Sequence, residues 1–547
     1  MRADRMKTGV KWIAAAVAAV CLLVFMRSLS CDFINWDDPL YVTENPAIRI
    51  LDWEFVRSAF MTSYMGWWMP LTWISFALDY RMWGLNPFGY HLTNILLHAA
   101  NAGMVVLIAD QLLGPYFKKE GRPKWVSRTA ALLSGLLWGV HPLRVESVAW
   151  VTERKDVLNG LFFLGSLFCY LRYARESRSP ENHFRARRDY LLSLVLFMLS
   201  LMAKPVSVVL PFMLLVLDWY PLRRLTRARL RAVVAEKIPF LVCSASMVVA
   251  TLLIARQSHI LASYDNLSLL QRLAVSGNAL FEYCRLMLWP VGILPLHVID
   301  AAQMAAYALK GMTFVLFSAA GVYAFRKGHW PAAVLLCFLL PLLPVLAIFQ
   351  NGIQAFAARF TYLPSIAPGI LAAYAVGAAY NRSSGRWAGF ARQAIPVAGV
   401  ALIVAYGITT WRFVGIWKNT ETVWSRIIDL QPTGRAYKER GLYYLSRGED
   451  RAAEQDLTAS IGFAQRVGLE EIYRLYALRG VALLNQERYA AAVEDFDRAI
   501  PLCPDPRYYY QRGRAFEALG KHNEAKADFH RAGRADGPIE WGNSACR

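Results

Sequence analysis

Two adjacent carboxylates, Asp37 and Asp38, stand in INWDDPLYVTENP, residues 34–46, between Trp36 and Pro39. An apolar stretch from Trp12 to Met26 runs just before them. Adjacent carboxylates repel, and partial desolvation at a membrane mouth raises at least one pKa. A carboxylate tuned that way can act as a general base; a solvated acidic turn before a proline is the simpler alternative. A second segment, HPLRVESVAWVTERKDVLNG, residues 141–160, packs His141, Arg144, Glu146, Glu153, Arg154, Lys155 and Asp156 into one short connection. Some of these charges balance one another as interfacial ion pairs. Arginine and lysine placed there also suit a phosphate ligand. Lys204 lies at a turn in LMAKPVSVVLP, between two short apolar arms. A lysine near hydrocarbon costs about 2.5–3.5 kcal/mol unless it snorkels to the interface. QAFAARFTYLPSI carries Arg359 and Tyr362 to the edge of another apolar run, as interfacial anchors or as binding groups.

An acid, several cations and aromatic residues at a lipid boundary suit sugar transfer from a lipid phosphate. A polyprenyl phosphate is a good leaving group at neutral pH and needs no general acid. It needs cations to hold its charge as it departs. The acceptor hydroxyl is a poor nucleophile and needs one base. One carboxylate with basic residues is therefore the minimum kit, unlike the two-carboxylate kit of glycoside hydrolases. The kit calls for no metal and no cofactor beyond the lipid-linked sugar, and no ligand cluster has convincing metal spacing.

These groups need a membrane scaffold. Of 547 residues 56% are hydrophobic, and the mean hydropathy is +0.28. Repeated apolar runs near spanning length predict an all-α polytopic bundle of about eleven spans. They are placed at 10–29, 88–113, 128–141, 156–173, 189–203, 205–221, 237–256, 304–325, 331–349, 362–380 and 394–412. The net charge of +20 falls between these runs, as the positive-inside rule requires, so nucleic acid is not an expected partner. The N-terminus shares its side with the even gaps, rich in residues such as Lys118, Arg187, Arg223 and Arg326. That side is cytoplasmic, and Asp37–Asp38, the 141–156 connection, Lys204 and the 350–361 loop fall on the outer side. Residues 189–221 as one helix would reach roughly 50 Å, too long for a hydrocarbon core of about 30 Å, so a hairpin turning at Lys204–Pro205 is expected. The basic start with Arg2, Arg5 and Lys7 marks the first run as a retained signal anchor. Eight cysteines without a CxxC pair argue against a zinc site or a disulfide framework.

After residue 412 the composition turns polar. The expected division is a membrane domain over 1–412, a connecting helix over 413–433, and repeats over 434–547, at 435–468, 472–505 and 506–538. GVALLNQERYAAAVEDFDRAI from Gly480 and GRAFEALGKHNEAKADFHRAG from Gly513 align, with a looser copy from Gly441. A period near 34, with small residues where two helices touch and an aromatic in the second, resembles the tetratricopeptide repeat, an α-solenoid unit. Such a stack can hold a polypeptide near the membrane mouth at high effective concentration.

NWDDPLYVTENP, PLTWISFALDYRMWGLNPFGYHLTNILLH, HPLRVESVAWVTERKDVL, MAKPVSVVLP, ARFTYLPSI and WKNTETVW occur in that order. This order resembles the transmembrane-and-tetratricopeptide O-mannosyltransferase family and its bacterial relatives. The resemblance implies a C-type multi-span glycosyltransferase fold and inverting transfer of mannose from a polyprenyl phosphate to a hydroxyl of an exported protein. It implies the inner membrane of a bacterium, with the active site and repeats on the outer face. Its partners are then membrane lipid, a lipid-linked sugar donor and a protein or peptide acceptor at the repeats. Asp37 and Asp38 match the acidic pair, with Asp37 as the base. Arg154 and Lys155 match the basic part of the second block and would hold the donor phosphate, with Lys204 and Arg359 as further candidates. His141, Arg144 and Glu146 would orient substrate, with Trp36, Tyr41 and Tyr362 beside them. Two other classes remain open: a non-catalytic membrane scaffold with tetratricopeptide repeats, and a lipid-linked glycan polymerase or ligase.

Overall fold

The computed structural model describes residues 2–257, 267–326, 328–349, 354–382, 388–467 and 472–533. The chain folds as two compact units, Met1–Lys418 and Asn419–Arg547. The first unit opens with α1 (Arg2–Phe25), followed by a long loop and the short helices α2 (Trp53–Met61) and α3 (Pro70–Trp83). Then come α4 (Pro87–Lys119), α5 (Lys124–Gly139), α6 (Val145–Ala149), α7 (Arg154–Glu176), α8 (His183–Ala203), α9 (Leu210–Trp219), α10 (Leu230–Ala235) and α11 (Ile238–Gln257). The unit ends with α12 (Leu269–Leu288), α13 (Met304–Ala324), α14 (Trp330–Leu339), α15 (Ile366–Arg382) and α16 (Ala388–Val414). A two-residue strand β1 (His297–Val298) pairs antiparallel with β2 (Gln354–Phe356).

Among the described residues, six helical stretches are long and apolar enough to cross a membrane: Gly9–Ser30, Pro87–Lys119, Val151–Glu176, Leu230–Gln257, Ala301–Ala324 and Gln393–Trp417. Three shorter apolar ones are Pro205–Trp219, Trp330–Val345 and Ile366–Tyr380. With α5 and α8 these correspond to the eleven expected spans, and the chain is an integral membrane protein.

The hairpin at Lys204 forms for a local reason. α8 stops at Ala203, Lys204 is extended, and Pro205 opens a new 3₁₀ turn where its missing N–H costs nothing. Asn159 on α7 clamps the turn, its Nδ2 lying 3.0 Å from the Lys204 carbonyl and 2.6 Å from Ser207 Oγ. The far ends of both arms return to one level. Tyr190 donates to the Glu236 carbonyl (2.8 Å), and Asp218 pairs with the neighbouring Lys237 at 2.6 Å.

Two helices depart from the expectation of loops. α3 has 14 residues, too few to read as a span, and packs apolar side chains such as Trp73 and Phe76 into the core. α12 lies in the stretch read as an outer connection, and a capping box at Ser268 and Gln271 starts it. It crosses α13 so closely that a Cβ on Gly277 would sit 2.7 Å from Gly311 Cα.

The second unit contains α17 (Thr420–Leu430), α18 (Gly434–Ser446), α19 (Asp450–Val467), α20 (Ile472–Asn485), α21 (Tyr489–Ala499), α22 (Pro506–Ala518) and α23 (His522–Ala532). The expected connecting helix over 413–433 is thus divided: α16 continues to Val414, and α17 belongs with the repeats. From α18 onward the helices pair in sequence order. A Cβ on Gly480 or Gly513 would lie 3.0 Å from Phe496 or 2.8 Å from Phe529, which explains glycine in the first helix and an aromatic in the second. Each pair also carries a fork: Arg440–Asp456, Arg479–Asp495 and Arg512–Asp528, all with N–O distances of 2.7 Å. The same arginines reach back to Ser425, Thr458 and Asp497, linking each pair to the helix before it. Cys503 is disulfide-bonded, and the six other described cysteines are free.

Candidate active site

α7 begins at Arg154, and its first three side chains fan out at about 100° per residue. Arg154 turns inward. It is fully buried; Nη2 donates to Asp79 Oδ2 (2.6 Å) and to the Tyr90 carbonyl (2.9 Å), and Nε donates to Asn94 Oδ1. Asn94 in turn donates to the backbone carbonyls of the 148–151 segment, 3.2 Å to that of Trp150. Arg154 therefore fastens the 148–153 segment to α3 and α4, with Nε and Nη2 spent on protein partners and Nη1 3.4 Å from Ser75 Oγ.

Lys155 turns the other way. Its Nζ lies 3.3 Å from Glu153 Oε1 and 4.0 Å from Asp37 Oδ2, and 5.0 Å from the centre of the Tyr41 ring. Asp156 faces Lys204, whose Nζ is 2.5 Å from Asp156 Oδ1 and 3.6 Å from Glu153 Oε2. Arg359 arrives from the turn Ala358–Thr361. Its Nε is 3.3 Å from Glu153 Oε1, while Glu146 takes both its guanidinium and its backbone N–H. Burial works against the charge on Arg359, but Glu146 and Glu153 outweigh it and raise its pKa. Burial raises Glu146 despite Arg359. Glu153, 1% exposed, thus gathers three cations that each keep a sliver of surface: Lys155, Lys204 and Arg359, 12%, 15% and 10% exposed.

The two aspartates part company. Asp38 is completely buried: Oδ2 accepts the Ile34 N–H at 2.8 Å, and Oδ1 accepts the Thr152 N–H at 3.0 Å and the Thr152 hydroxyl. Burial pushes its carboxyl up to about 7, against these hydrogen bonds. Asp37 keeps 35% of its side chain exposed and its carboxylate faces Lys155. Asp38 is therefore a clasp between two segments, and Asp37 is the accessible carboxylate.

Trp36 packs on Trp150 with ring centres 4.9 Å apart, and Trp150 stacks on Trp417 at 5.4 Å. Tyr41 was expected beside the substrate-orienting residues. It is buried instead, against Trp73 at 4.8 Å. Tyr362 is also buried; its hydroxyl accepts from Asn101 Nδ2 (3.0 Å) and lies 2.9 Å from His98 Nδ1. His141 accepts the Leu143 N–H at Nδ1 and contacts the Met287 carbonyl through Nε2 at 3.1 Å, the pattern of a neutral ring. Arg144 donates to the carbonyl and hydroxyl of Thr361 (3.0 and 2.8 Å) and joins none of the described ion pairs. So Asp37, Lys155, Lys204, Arg359, Glu146 and Trp36 come together around Glu153. Tyr41 meets the cluster only through its ring face beneath Lys155, and Arg154, His141, Arg144 and Tyr362 do not open onto it.

Protein O-mannosyl-transferase TMTC4 of Homo sapiens is 33% identical over 182 residues, 31% of this chain and 24% of that protein. Protein O-mannosyl-transferase tmtc2 of Xenopus laevis is 31% identical over 166 residues, 28% of this chain and 18% of that protein. This chain is similar to the protein O-mannosyl-transferases. The matches span about a quarter or less of the length of these O-mannosyl-transferases. The tetratricopeptide repeat family matches residues 473–506 and 506–532. The crystal structure of ArnT from Cupriavidus metallidurans bound to undecaprenyl phosphate aligns with a TM-score of 0.37 at 15% identity, over 88% of this chain and 79% of that one. That likeness is too slight to carry an argument.

Sequence reasoning passed over Thr152, Trp150, Asp79 and Asn94, which hold the site together. Thr152 and Trp150 carried one signal, their place inside the charged 141–160 segment. Asp79 and Asn94 carried none beyond being polar residues in apolar surroundings, where a partner is obligatory.

Proposed function

We propose that this protein is a membrane glycosyltransferase that moves a sugar from a polyprenyl phosphate to a hydroxyl of an exported protein. The observation that carries the reading is the meeting of the exposed carboxylate of Asp37 with the cations held by Glu153. In this reading Asp37 accepts the proton of the acceptor hydroxyl. The acceptor oxygen forms its bond to the anomeric carbon as the bond from that carbon to the phosphate oxygen breaks. The lipid phosphate leaves with the bonding electron pair, and the anomeric centre inverts. Lys155 and Lys204 hold the departing phosphate through their outward N–H groups. Arg154 is assigned a positioning role rather than phosphate contact, because its donors are already engaged.

The cluster is not a simple positive hole. Lys155, Lys204 and Arg359 face the carboxylates of Asp37, Glu146, Glu153 and Asp156. Phosphate binding then depends on Lys155 turning from Asp37 to the ligand, which couples donor binding to freeing the base. Trp36 offers the apolar face a sugar ring stacks on. Mannose is the proposed sugar because the relatives are named for it.

The site and the repeats are placed on the outer face. The alternation of Lys and Arg supports this, and so does the disulfide at Cys503, since disulfides persist in oxidising compartments. The repeats are proposed to hold the polypeptide acceptor. The deciding experiment is mass spectrometry of exported proteins from cells that lack the protein, carry it, or carry Asp37→Asn. Hexose on serine or threonine present only with the wild-type chain is the expected result. Hexose restored by Asp37→Asn, or by the repeats alone, would instead favour a scaffold.

A further inference from the structure

A cavity of about 520 Å³ lies among α12, α13, α14, α15 and α16. Its walls are almost wholly apolar, with Phe314, Val334, Phe338 and Leu371 among them. Phe317 and Leu288 also line it and are 76% and 79% exposed, so the cavity meets the lipid-facing surface of the unit. Across the cavity wall from these residues stand His141, Arg144 and Tyr406. Among the described lining residues Arg144 is the one charged side chain.

Arg144 is 1% exposed, no carboxylate oxygen lies within ion-pair distance of it among the described residues, and its Nε–H has no hydrogen-bond partner. The rings of Trp138 and Tyr362 lie 5.4 and 5.5 Å from its guanidinium carbon and soften the charge without neutralising it. His141 beside it is neutral by its hydrogen-bond pattern, so it neither repels nor balances Arg144. Asp156 attracts Arg144 from beyond ion-pair distance but burial outweighs it, so an anion at this end of the cavity would lower the cost of the buried charge. The cavity is separate from the Asp37 cluster. Arg144 and Arg359 both hold the turn Ala358–Thr361, yet they share no hydrogen-bond or ion-pair partner among the described residues: Arg144 takes Thr361, and Arg359 takes Glu146, Glu153 and Gln354.

We propose that this cavity binds an anionic bilayer phospholipid, with one apolar chain among α12–α16 and the phosphodiester at Arg144. An apolar wall open to lipid accepts the chain, and a buried cation that no described carboxylate touches matches one negative charge. The site is distinct from that of the transfer reaction and does not depend on the reading of Asp37.

The test is native mass spectrometry of the full chain in detergent, titrated with dioleoylphosphatidylglycerol, dioleoylphosphatidylcholine, inorganic phosphate or a polyprenyl monophosphate. One phosphatidylglycerol should bind per chain, at least about tenfold more tightly than phosphatidylcholine, whose phosphodiester is the same but whose choline ammonium brings a second cation beside Arg144. Arg144→Gln should abolish that preference. Gly321→Leu, which lines the cavity and whose added Cβ meets no atom within 4 Å, should weaken both lipids by filling the space. Equal binding of the two lipids, a preference that survives Arg144→Gln, or unchanged affinity in Gly321→Leu would overturn the proposal. So would displacement of the bound lipid by inorganic phosphate or by the polyprenyl monophosphate. Asp37→Asn should bind phosphatidylglycerol as the wild type does, so failure of the transfer reading leaves this result standing, and the reverse.

Discussion

Asp37→Asn separates chemistry from donor binding. Losing a general base lowers turnover by about 10²–10⁴. The same change removes a carboxylate 4.0 Å from Lys155 Nζ. At an effective dielectric of about 20 that contact is worth roughly 4 kcal/mol. Asp37 is 35% exposed, so water screens most of it and about 1 kcal/mol is the better expectation. Lys155, released by that amount, can give its N–H groups to phosphate, and about 1 kcal/mol corresponds to roughly fivefold in affinity. The variant should therefore lose at least about 100-fold in kcat while binding a polyprenyl monophosphate up to about fivefold more tightly. Transfer of labelled sugar from a synthetic polyprenyl-phosphate donor to a threonine peptide reads the first quantity, and calorimetry with the monophosphate reads the second. Wild-type kcat would remove Asp37 as the base. A tenfold loss of monophosphate affinity would refute the charge reasoning, because Asp37 would then be holding Lys155 in place for the ligand.

The clasp residue should behave differently. Asp38→Asn sets an amide N–H against the Ile34 N–H or the Thr152 donors, costing about 1–3 kcal/mol of stability in a thermal melt. Asp38 also predicts a pH effect. Its carboxyl rises from 3.8 to about 7 on folding, so the folded state binds more protons in that window and stability falls as pH climbs through it; Asp38→Asn should flatten this slope. Arg154→Ala leaves Asp79 buried without its partner, at about 3–5 kcal/mol, and should reduce the yield of folded protein in size-exclusion traces; normal stability with a raised donor KM would return Arg154 to the phosphate site. Arg479→Ala cuts both the Asp495 fork and the link to Thr458, and should speed limited proteolysis of the second unit. Truncation after Lys418 should spare transfer to a short peptide and impair transfer to a folded or long polypeptide acceptor; equal loss with both acceptors would count against a docking role for the repeats.

Much of the architecture was legible because it follows from length and period. A span needs an apolar run near bilayer thickness, and each arm of the Lys204 hairpin declared itself by being half of a run too long for one helix. The tetratricopeptide units announced themselves through Gly480 and Gly513 facing Phe496 and Phe529, a contact in which a larger residue would push the ring aside. α3 and α12 were not legible, because a length of only 14 residues in one and charges such as Glu282 and Arg285 in the other fit neither a span nor a plain loop.

The sequence by itself determined which segments carry the charged and aromatic groups: the loop at Asp37–Asp38, the 141–160 connection, the turn at Lys204 and the edge at Arg359. The tertiary structure decided which member of each segment meets the others. Asp37 and Asp38 are chemically identical neighbours, and only packing buries one on Thr152 and leaves the other beside Lys155. Arg154 and Lys155 are adjacent cations, yet one helical step of about 100° sends the first to Asp79 and the second to the surface cluster. Arg144 and Arg359 both reach the turn Ala358–Thr361, yet one lines an apolar cavity and the other meets Glu153. Side-chain direction changes with every residue along a chain, whereas composition and hydropathy average over many, so a linear reading locates a site without choosing the atoms that form it.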